Sequence, residues 1–351
     1  MSENVDSATS RASVAFDGRV LVIQVAFAVI VAGAIGIQFL KSGASFDFAA
    51  FWAAHHVALP YDHLALSKAA GAKTFFPYPP TFLLLTLPLA WVSMQAGYLS
   101  WIVLSAVALV ASMRRLSAPL VLAVPAVFAA GISGQTSLIV GALLFAGATL
   151  RHRPALAGVM FGIAACIKPQ VGVLVPLVLL ASGQWRAMAY ATATALLLCL
   201  AATLVYGPGV WPDWLGSLPG FIRANDGQWT ARYLALPGRW KIAALAVGAV
   251  MSAYCGRRGQ VELGVLIAVA AALLGSLHAM DYDAAILAPF AVSAALSNRW
   301  FTIPYAVALA LPSSPWTVLA IAVLATSSLV WRLHVQNPDQ RPGSKHNGNM
   351  L

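Results

Sequence analysis

Residues 186–206 read RAMAYATATALLLCLAATLVY, a run whose first residue, Arg186, carries its only charge. About 20 helical residues without charge are enough to cross the hydrocarbon core of a bilayer. The whole chain of 351 residues has the same character, because 60% of it is hydrophobic and only 9% is charged, whereas soluble domains carry about 25% charged residues. A soluble fold has too little interior for this much apolar surface, so the sequence predicts an integral membrane protein.

Similar apolar runs recur along the chain and determine the predicted architecture. They lack the alternation of a β-barrel, and continuous runs in a membrane protein are typical of helices. The sequence therefore predicts an all-α polytopic membrane protein with about 12 transmembrane helices. Several runs are shorter than one full span, which favours tilted or broken helices. The other runs lie near 20–40, 79–93, 97–113, 118–133, 136–150, 154–167, 171–182, 238–254, 261–277, 283–297, 300–312 and 316–333.

The limits of these runs divide the chain into three parts. Residues 1–19 form a predicted cytoplasmic tail, and residues 20–333 form the predicted transmembrane domain. Within this domain, residues 41–78 and 207–237 are the two long outer loops. Residues 334–351 are polar and have the composition of a disordered tail.

Arginines between the apolar runs indicate the orientation of the chain. Cytoplasmic loops of membrane proteins are rich in Arg and Lys, so the net charge of +10 favours a basic inner face over a nucleic-acid partner. If all the arginine clusters are cytoplasmic, each run from residue 97 onward crosses once. The run at 79–93 then has no crossing, and it is either a partial, re-entrant helix or a sign that one cluster breaks the rule. The clusters are Arg114 and Arg115, Arg151 and Arg153, Arg186, Arg257 and Arg258, Arg299, and Arg332.

This orientation gathers acidic residues on the outer side of the membrane. Outer-side cations accompany them, so the outer surface carries both signs of charge beside the two long loops, as a reaction chamber would. The acids are Asp47, Asp62, Asp213, Asp226, Asp281 and Asp283, and the cations include Lys41, Lys68, Lys73, Lys168, Arg223 and Arg232.

The first outer loop begins SFDFAAFWAAHHVALPYDHLAL, with Asp47 shortly after the first apolar run. Residues 48–59 predict a short amphipathic helix in the membrane interface. Asp47 is then either the cap of that helix or a partly desolvated general base with a raised pKa, and the two roles are compatible. The loop also contains groups that allow a metal site, although solvated interfacial histidines are the simpler interpretation; these are His55, His56, His63 and Asp62.

Two further segments carry polar groups at the outer side. FFPYPPTFLLLTLPLAW, residues 75–91, forms a proline-rich aromatic elbow that includes Tyr78 and directs the chain into the next helix. GISGQTSLIVGALL, residues 131–144, places Gln135 at a helix start. Free N–H groups and an amide there suit a sugar hydroxyl or a phosphate, but the same residues also make an ordinary helix start.

Lys168 is the single charge in GIAACIKPQVGVL, residues 162–174. A lysine at this depth costs a few kcal/mol unless it reaches water or an anion. Two interpretations are open: the side chain snorkels to the outer interface, or it neutralises a lipid phosphate beside Pro169, which breaks the helix.

GSLHAMDYDAAILAPF, residues 275–290, places four polar side chains beside an apolar run. His278 and Asp281 are three residues apart and would share a face of a helix, where a histidine and a carboxylate form a usual acid-base or phosphate-contacting unit. Asp283 is a candidate cap for the following helix.

The order of these motifs resembles a known family. An aspartate after the first helix, YPP, GQ, IKP, the inner turn QWR and a late HxxDYD are similar to the membrane glycosyltransferases of family 87. These are the polyprenol-phosphate-mannose-dependent α-mannosyltransferase group of the GT-C superfamily. The resemblance covers about residues 20–300 and implies a GT-C-like helical bundle.

The resemblance also implies a reaction at the outer face of the cytoplasmic membrane. A sugar, by analogy mannose, moves with inversion from a polyprenyl phosphate to a hydroxyl of a lipid or glycan acceptor. Asp47 then matches the base that deprotonates the acceptor, and His278 matches the residue that contacts the donor phosphate or assists the base. We expect no metal and no cofactor, because Lys or Arg suffices for a phosphate leaving group. The candidate substrate-binding residues are Lys168, Asp281, Gln135, Tyr78, Arg223, Arg232 and His55.

A transporter or flippase of polyprenyl lipids is the alternative function. Outer-face Asp and His residues would then relay protons. Such a protein should carry ionisable residues at mid-membrane and an internal repeat, whereas the polar groups of this chain lie at helix ends on one side.

Overall fold

The computed structural model describes residues 46–113, 118–225, 234–297, 299–311 and 313–336, and within these ranges the protein contains helices and no strands. The all-α prediction is confirmed for this part of the chain. The predicted first helix at 20–40 and the cluster of Arg114 and Arg115 lie outside the described residues, as do most of the two predicted tails. The α-helices are α1 Phe46–Ala53, α2 His63–Ala70, α3 Pro80–Leu85, α4 Met94–Ser112, α5 Ala118–Leu122, α6 Pro125–Ile132, α7 Ser137–Thr149, α8 Pro154–Ile167, α9 Pro169–Gly172, α10 Val175–Ala181, α11 Trp185–Tyr206, α12 Val210–Asn225, α13 Arg239–Arg257, α14 Val261–Gly275, α15 Ala288–Ser297, α16 Arg299–Ala310 and α17 Pro315–Gln336; 3-10 helices span Leu87–Trp91 and Asp281–Leu287.

Two of the described helices, α4 and α11, are long and apolar enough to cross a membrane. Along α11 the large side chains of Leu196, Leu200 and Leu204 are exposed. Exposing an apolar stripe of this kind to water is energetically unfavourable, whereas contact with lipid is favourable. The surface of α11 therefore agrees with a membrane protein, while the count of about 12 transmembrane helices stays a prediction.

Prolines break several of the predicted runs into short helices. The run at 79–93 forms α3 and the 3-10 helix that follows it, and neither piece is long enough to cross a bilayer. Pro125 opens α6 within the run at 118–133, and Pro169 separates α8 from α9. Proline has no backbone N–H to donate to the preceding turn, so the series of helical hydrogen bonds is interrupted at each of these positions. For 79–93, the structure supports the partial helix over a complete crossing.

The helix α14 lies at the centre of the bundle, packed against α7, α10, α13 and α17. Beside it, α8 packs closely on α11 through two glycines, Gly158 and Gly162. A Cβ on Gly158 would come within 2.4 Å of the Ala187 carbonyl oxygen, and one on Gly162 within 2.7 Å of the Ala191 carbonyl oxygen. Small residues four apart let the two backbones approach, as in other membrane helix pairs.

Three neighbouring helices have arginines at one end and polar candidate residues at the other. The helix α8 is flanked by Arg153 at its start and Lys168 at its end. The helix α7 starts at Ser137 and ends before Arg151, and α14 runs toward His278. At the arginine end, the Arg151 Nη1 donates to the Gly259 carbonyl oxygen over 2.7 Å. The basic end and the candidate site therefore lie at opposite ends of the bundle.

The predicted interfacial helix at 48–59 is wrong in its limits and in its surroundings. The structure has α1 at Phe46–Ala53 instead, and it buries Phe48, Phe51 and Ala53 to 1% exposure or less. Aromatic rings from the elbow at 75–91 and from α4 cover its apolar face. Asp47 thus belongs to a helix enclosed by the bundle rather than to one lying on the membrane.

Candidate functional site

Asp47 lies in the first turn of α1, and aromatic packing holds that helix in place. The ring of Phe51 meets the rings of Tyr78 and Phe82 edge-on, each at 5.1 Å between centroids. On the other side, the Phe48 ring lies 5.6 Å from the Tyr98 ring. These contacts immobilise the residue next to Asp47, so the carboxyl group has a defined position.

The backbone at Gly134 comes very close to α1. Gly134 has a φ of +63°, a region that residues with a Cβ adopt at a cost. An added Cβ would lie 2.6 Å from the Phe48 Cβ. Glycine therefore allows the turn before α7 to reach α1, and this turn carries Gln135.

Replacement of Gly134 by Ala is expected to destabilise the protein by about 2–4 kcal/mol, from the strained φ and the overlap with Phe48. Gly131→Ala is the matched control, because Gly131 lies in α6 with no atom within 4 Å of a new Cβ. The control should unfold at the same temperature as the parent protein or slightly above it. Thermal unfolding in detergent measures both variants, and equal stability of the two would contradict the close approach.

Gln135 joins Asp47 to Tyr78. The Gln135 side chain lies close enough to the Asp47 carboxyl group to lower its pKa by hydrogen bonding, and the Tyr78 hydroxyl donates to Gln135 Oε1 over 2.9 Å. Gln135 and Tyr78 are both buried. The structure thus brings together three residues of the predicted site, from α1, the elbow and the turn before α7.

Lys168, between α8 and α9, forms a buried ion pair with Asp283 of the 3-10 helix Asp281–Leu287. Lys168 is 6% exposed and Asp283 is 4% exposed. Asp283 also accepts from the Ser137 hydroxyl at 2.7 Å and from the Met280 backbone N–H at 3.1 Å. The hypothesis that Lys168 snorkels to the interface is therefore wrong, because a carboxylate inside the bundle compensates its charge.

The Asp47 carboxyl group responds to the same charges. Burial raises its pKa, and the Gln135 hydrogen bond and the charge of Lys168 partly offset that rise. Asp283 and Asp281 act in the opposite direction, since like charges disfavour ionisation. Asp47 is consequently a carboxylate with an increased affinity for a proton, as a general base requires.

His278 reaches the site from an irregular segment rather than from a helix. The helix α14 ends at Gly275, and the Ser276 hydroxyl accepts from the His278 backbone N–H at 3.0 Å. The predicted helical pair of His278 with Asp281 is therefore wrong. Burial lowers the pKa of His278, and Asp283 partly raises it again. Its ring meets the Phe221 ring of α12 edge-on at 4.8 Å.

The other predicted site residues have less central places. Asp281 accepts from the Tyr282 backbone N–H at 2.8 Å and lies close enough to act on the charge of Asp47. Arg223 is exposed in the last turn of α12. Arg232 lies outside the described residues. His55 Nε2 lies 3.0 Å from the Thr86 hydroxyl, away from Asp47, and burial lowers its pKa to about 4.

The residues considered for a metal site in the first loop make separate contacts instead. Asp62 caps α2 by accepting from the Leu64 N–H at 2.9 Å. His56 stacks on Trp52, and His63 stacks on Phe75. Among the described residues no group of three or more His, Cys, Asp or Glu side chains is placed to hold a metal ion.

Three residues of the site are not among the candidate site residues: Ser137, and Tyr282 and Asp283, which the sequence places only in the polar cluster of residues 275–290. Asp283 was interpreted as a helix cap, and it does accept the Met280 N–H, but its main partner is Lys168. The Tyr282 ring lies 5.8 Å from Lys168 Nζ. The doubled aspartate of DYD in an apolar setting was a usable signal, since a lone buried lysine requires a buried acid.

The site therefore combines a partly desolvated carboxyl group, a buried lysine and a partly buried imidazole at one end of the bundle. A carboxylate of this kind accepts a proton from a hydroxyl group. The imidazole and the lysine provide donors for a group that becomes negatively charged. This combination suits the attack of a hydroxyl on a centre that loses an anionic leaving group.

Comparison with known proteins identifies one family. The family described as Glycosyltransferase family 87 matches residues 75–280, more than half of the chain. The matched range includes Tyr78, Gln135, Lys168 and His278, while Asp47 precedes it. Searches of curated proteins and of solved structures gave no match.

Proposed function

The chain belongs to glycosyltransferase family 87 and is thus a membrane glycosyltransferase, and on this premise we propose that its donor is a polyprenyl-phosphate sugar, with mannose as the sugar. The acceptor is a hydroxyl group of a lipid or glycan. Family membership favours this enzyme over the polyprenyl-lipid transporter considered above. The GT-C superfamily placement fits the helical bundle.

The proposed reaction is a single displacement with Asp47 as the general base. Asp47 takes the proton of the acceptor hydroxyl, whose oxygen bonds to the anomeric carbon. The bond from that carbon to the phosphate oxygen breaks, and polyprenyl phosphate leaves with the electron pair. Attack opposite the leaving group inverts the anomeric centre. The observation that carries this proposal is the partly desolvated Asp47 carboxyl group beside the Lys168 charge.

His278 is the stronger candidate for contact with the leaving phosphate. Lys168 is already paired with Asp283, so its charge is largely compensated before the donor binds. His278 has an aromatic neighbour, Phe221, at the ring edge, and its imidazole can donate to a phosphate oxygen. We assign His278 to the leaving group and Lys168 to the local field that favours its departure.

The reaction is proposed for the outer face of the cytoplasmic membrane. Arginines mark one end of α7, α8 and α14, and basic ends face the cytoplasm in multi-pass proteins. Asp47, Lys168 and His278 belong to the opposite end. A lipid-linked sugar presented at the outer surface would reach them there.

Purified protein in liposomes tests the donor class directly. Polyprenyl-phosphate mannose labelled in the sugar should transfer its label to a membrane-lipid extract and release polyprenyl phosphate in equal amount. A nucleotide-linked mannose, without the lipid donor, should give no labelled product. Transfer from the nucleotide sugar alone would reject the lipid-phosphate donor, and labelled polyprenyl-phosphate arabinose in the same assay would decide which sugar is used.

A further inference from the structure

We propose that Tyr78 and Gln135 are positioning residues that orient the Asp47 carboxylate, rather than contacts of the sugar donor. The inference rests on the proposed role of Asp47 as general base. It assigns Tyr78 and Gln135 a different role from the substrate-binding one that their sequence motifs indicate.

The contacts from Tyr78 through Gln135 to Asp47 form a relay, in which the donor and the acceptor of each hydrogen bond are fixed by the chemistry of the groups. A carboxylate only accepts hydrogen bonds, so the amide nitrogen of Gln135 must face Asp47. The amide oxygen then faces Tyr78, which must donate its hydroxyl proton at 2.9 Å. Without that donor, the amide group keeps its contact with Asp47 but is no longer held at its oxygen.

The packing around Tyr78 keeps its hydroxyl on Gln135. Its ring lies 4.6 Å from the Phe82 ring and 5.1 Å from the Phe51 ring. Its backbone carbonyl accepts from the Tyr61 hydroxyl at 3.1 Å. The Thr136 hydroxyl, at 3.4 Å from the Tyr78 hydroxyl, supplies a second polar neighbour. A phenol enclosed in this way cannot reorient to contact a bound sugar.

The relay also tunes the proton affinity of Asp47. The Gln135 hydrogen bond favours the ionised carboxylate and opposes the effect of burial. The charged groups that face Asp47 are Lys168, Asp281 and Asp283, and the phenols that it influences are Tyr78 and Tyr282. Replacing Tyr78 by Phe changes none of the charged groups. A change in the titration of Asp47 would therefore report the loss of the oriented amide.

The test is the pH dependence of sugar transfer in Tyr78→Phe and Gln135→Leu. Asp47 acts as a base only when deprotonated, so a higher pKa moves the acidic limb of kcat/KM to higher pH. We expect Gln135→Leu to shift this limb by about one pH unit or more, since it removes the hydrogen bond to the charged carboxylate. Tyr78→Phe should shift the limb in the same direction by a smaller amount, since it removes a hydrogen bond between two neutral groups. The kcat at neutral pH should fall, while the KM for the lipid donor stays within twofold of the parent value.

Tyr98→Phe is the matched control. Tyr98 is equally buried in the aromatic packing, but its hydroxyl donates to the Ile132 carbonyl oxygen over 2.6 Å and not to Gln135. Its pH profile should equal that of the parent protein, even if removal of the hydroxyl lowers the unfolding temperature.

Three results would overturn the inference. A raised donor KM with an unchanged acidic limb in both Tyr78→Phe and Gln135→Leu would make these residues donor contacts. An unchanged profile with unchanged KM would leave them without a role in positioning. A shift of equal size in Tyr98→Phe would indicate general loosening of the cluster. Full activity of a variant without the Asp47 carboxylate would instead reject the proposed function itself, so the two failures are distinguishable.

Discussion

Asp47→Asn is expected to reduce sugar transfer by at least 100-fold, with the protein still folded, because general-base catalysis contributes about 10²–10⁴-fold to rates. Asparagine has the same shape and its carbonyl oxygen can accept the Gln135 hydrogen bond, but it takes no proton from a hydroxyl group. The measurement is transfer of labelled sugar from the polyprenyl-phosphate donor by equal amounts of purified variant and parent protein.

The stability of this variant provides a second, independent readout. The pKa of Asp47 is raised in the folded protein, so its ionised form at neutral pH opposes folding. Removing that charge should leave the unfolding temperature unchanged or increase it. An inactive variant with lower stability would indicate damage to the fold instead of loss of the base.

Asp62→Asn is the control for Asp47→Asn within the same part of the chain. Asp62 caps α2, and asparagine is about as good a cap as aspartate. The control variant should therefore keep its activity and its stability. If both variants retained full activity, Asp47 would not be the base, and another carboxyl group of the site would have to take that role.

Removal of Lys168 is expected to have the largest effect on stability. Lys168→Met leaves Asp283 buried without a counterion, and breaking a buried pair from one side costs about 3–5 kcal/mol. The expected result is a strongly lowered unfolding temperature or failure to purify a folded monodisperse protein. Lys68→Met is the control, because Lys68 is exposed on α2, and it should behave as the parent protein does.

The double variant Lys168→Met with Asp283→Asn separates charge from shape. Asparagine keeps an acceptor for the Met280 N–H, its amide nitrogen can donate to the Ser137 hydroxyl oxygen once that hydroxyl rotates, and the buried charge disappears. Most of the lost stability should return, while sugar transfer stays low because the cation of the site is missing. If the double variant were no more stable than Lys168→Met, the ion pair would not explain the cost.

Much of the fold was predictable because membrane helices are recognisable in a sequence as continuous apolar runs. The run at 186–206 became α11 almost residue for residue, and 154–167 became α8. The breaks were less predictable, since a proline permits a kink, a gap or a new helix start, and packing selects among these. The enclosure of α1 depended on aromatic rings from other segments, which periodicity within 48–59 does not contain.

The candidate site was predictable to the extent that charge is scarce. The sequence indicated three of its residues, Asp47, Lys168 and His278, because ionisable residues in a membrane protein are costly to bury and usually mark a functional site. Their partners were not indicated, because pairing is a long-range property: Asp283 follows Lys168 by 115 positions, and Gln135 follows Tyr78 by 57. The pairing of Lys168 thus required the structure, even though both members were visible in the sequence.

The shortness of the central helices has a consequence for the depth of the candidate site. The helices α7, α8 and α14 contain 13, 14 and 15 residues, so they are about 20–22 Å long. A bilayer core measures about 30 Å. The lipid-exposed helix α11 has 22 residues and is long enough to span that core. In the proposed orientation, with their arginine ends at the inner boundary, the three central helices stop below the outer boundary, and the candidate site is recessed inside the bundle. The depth of this recess thereby sets how far a lipid-linked donor must enter the bundle from the outer surface.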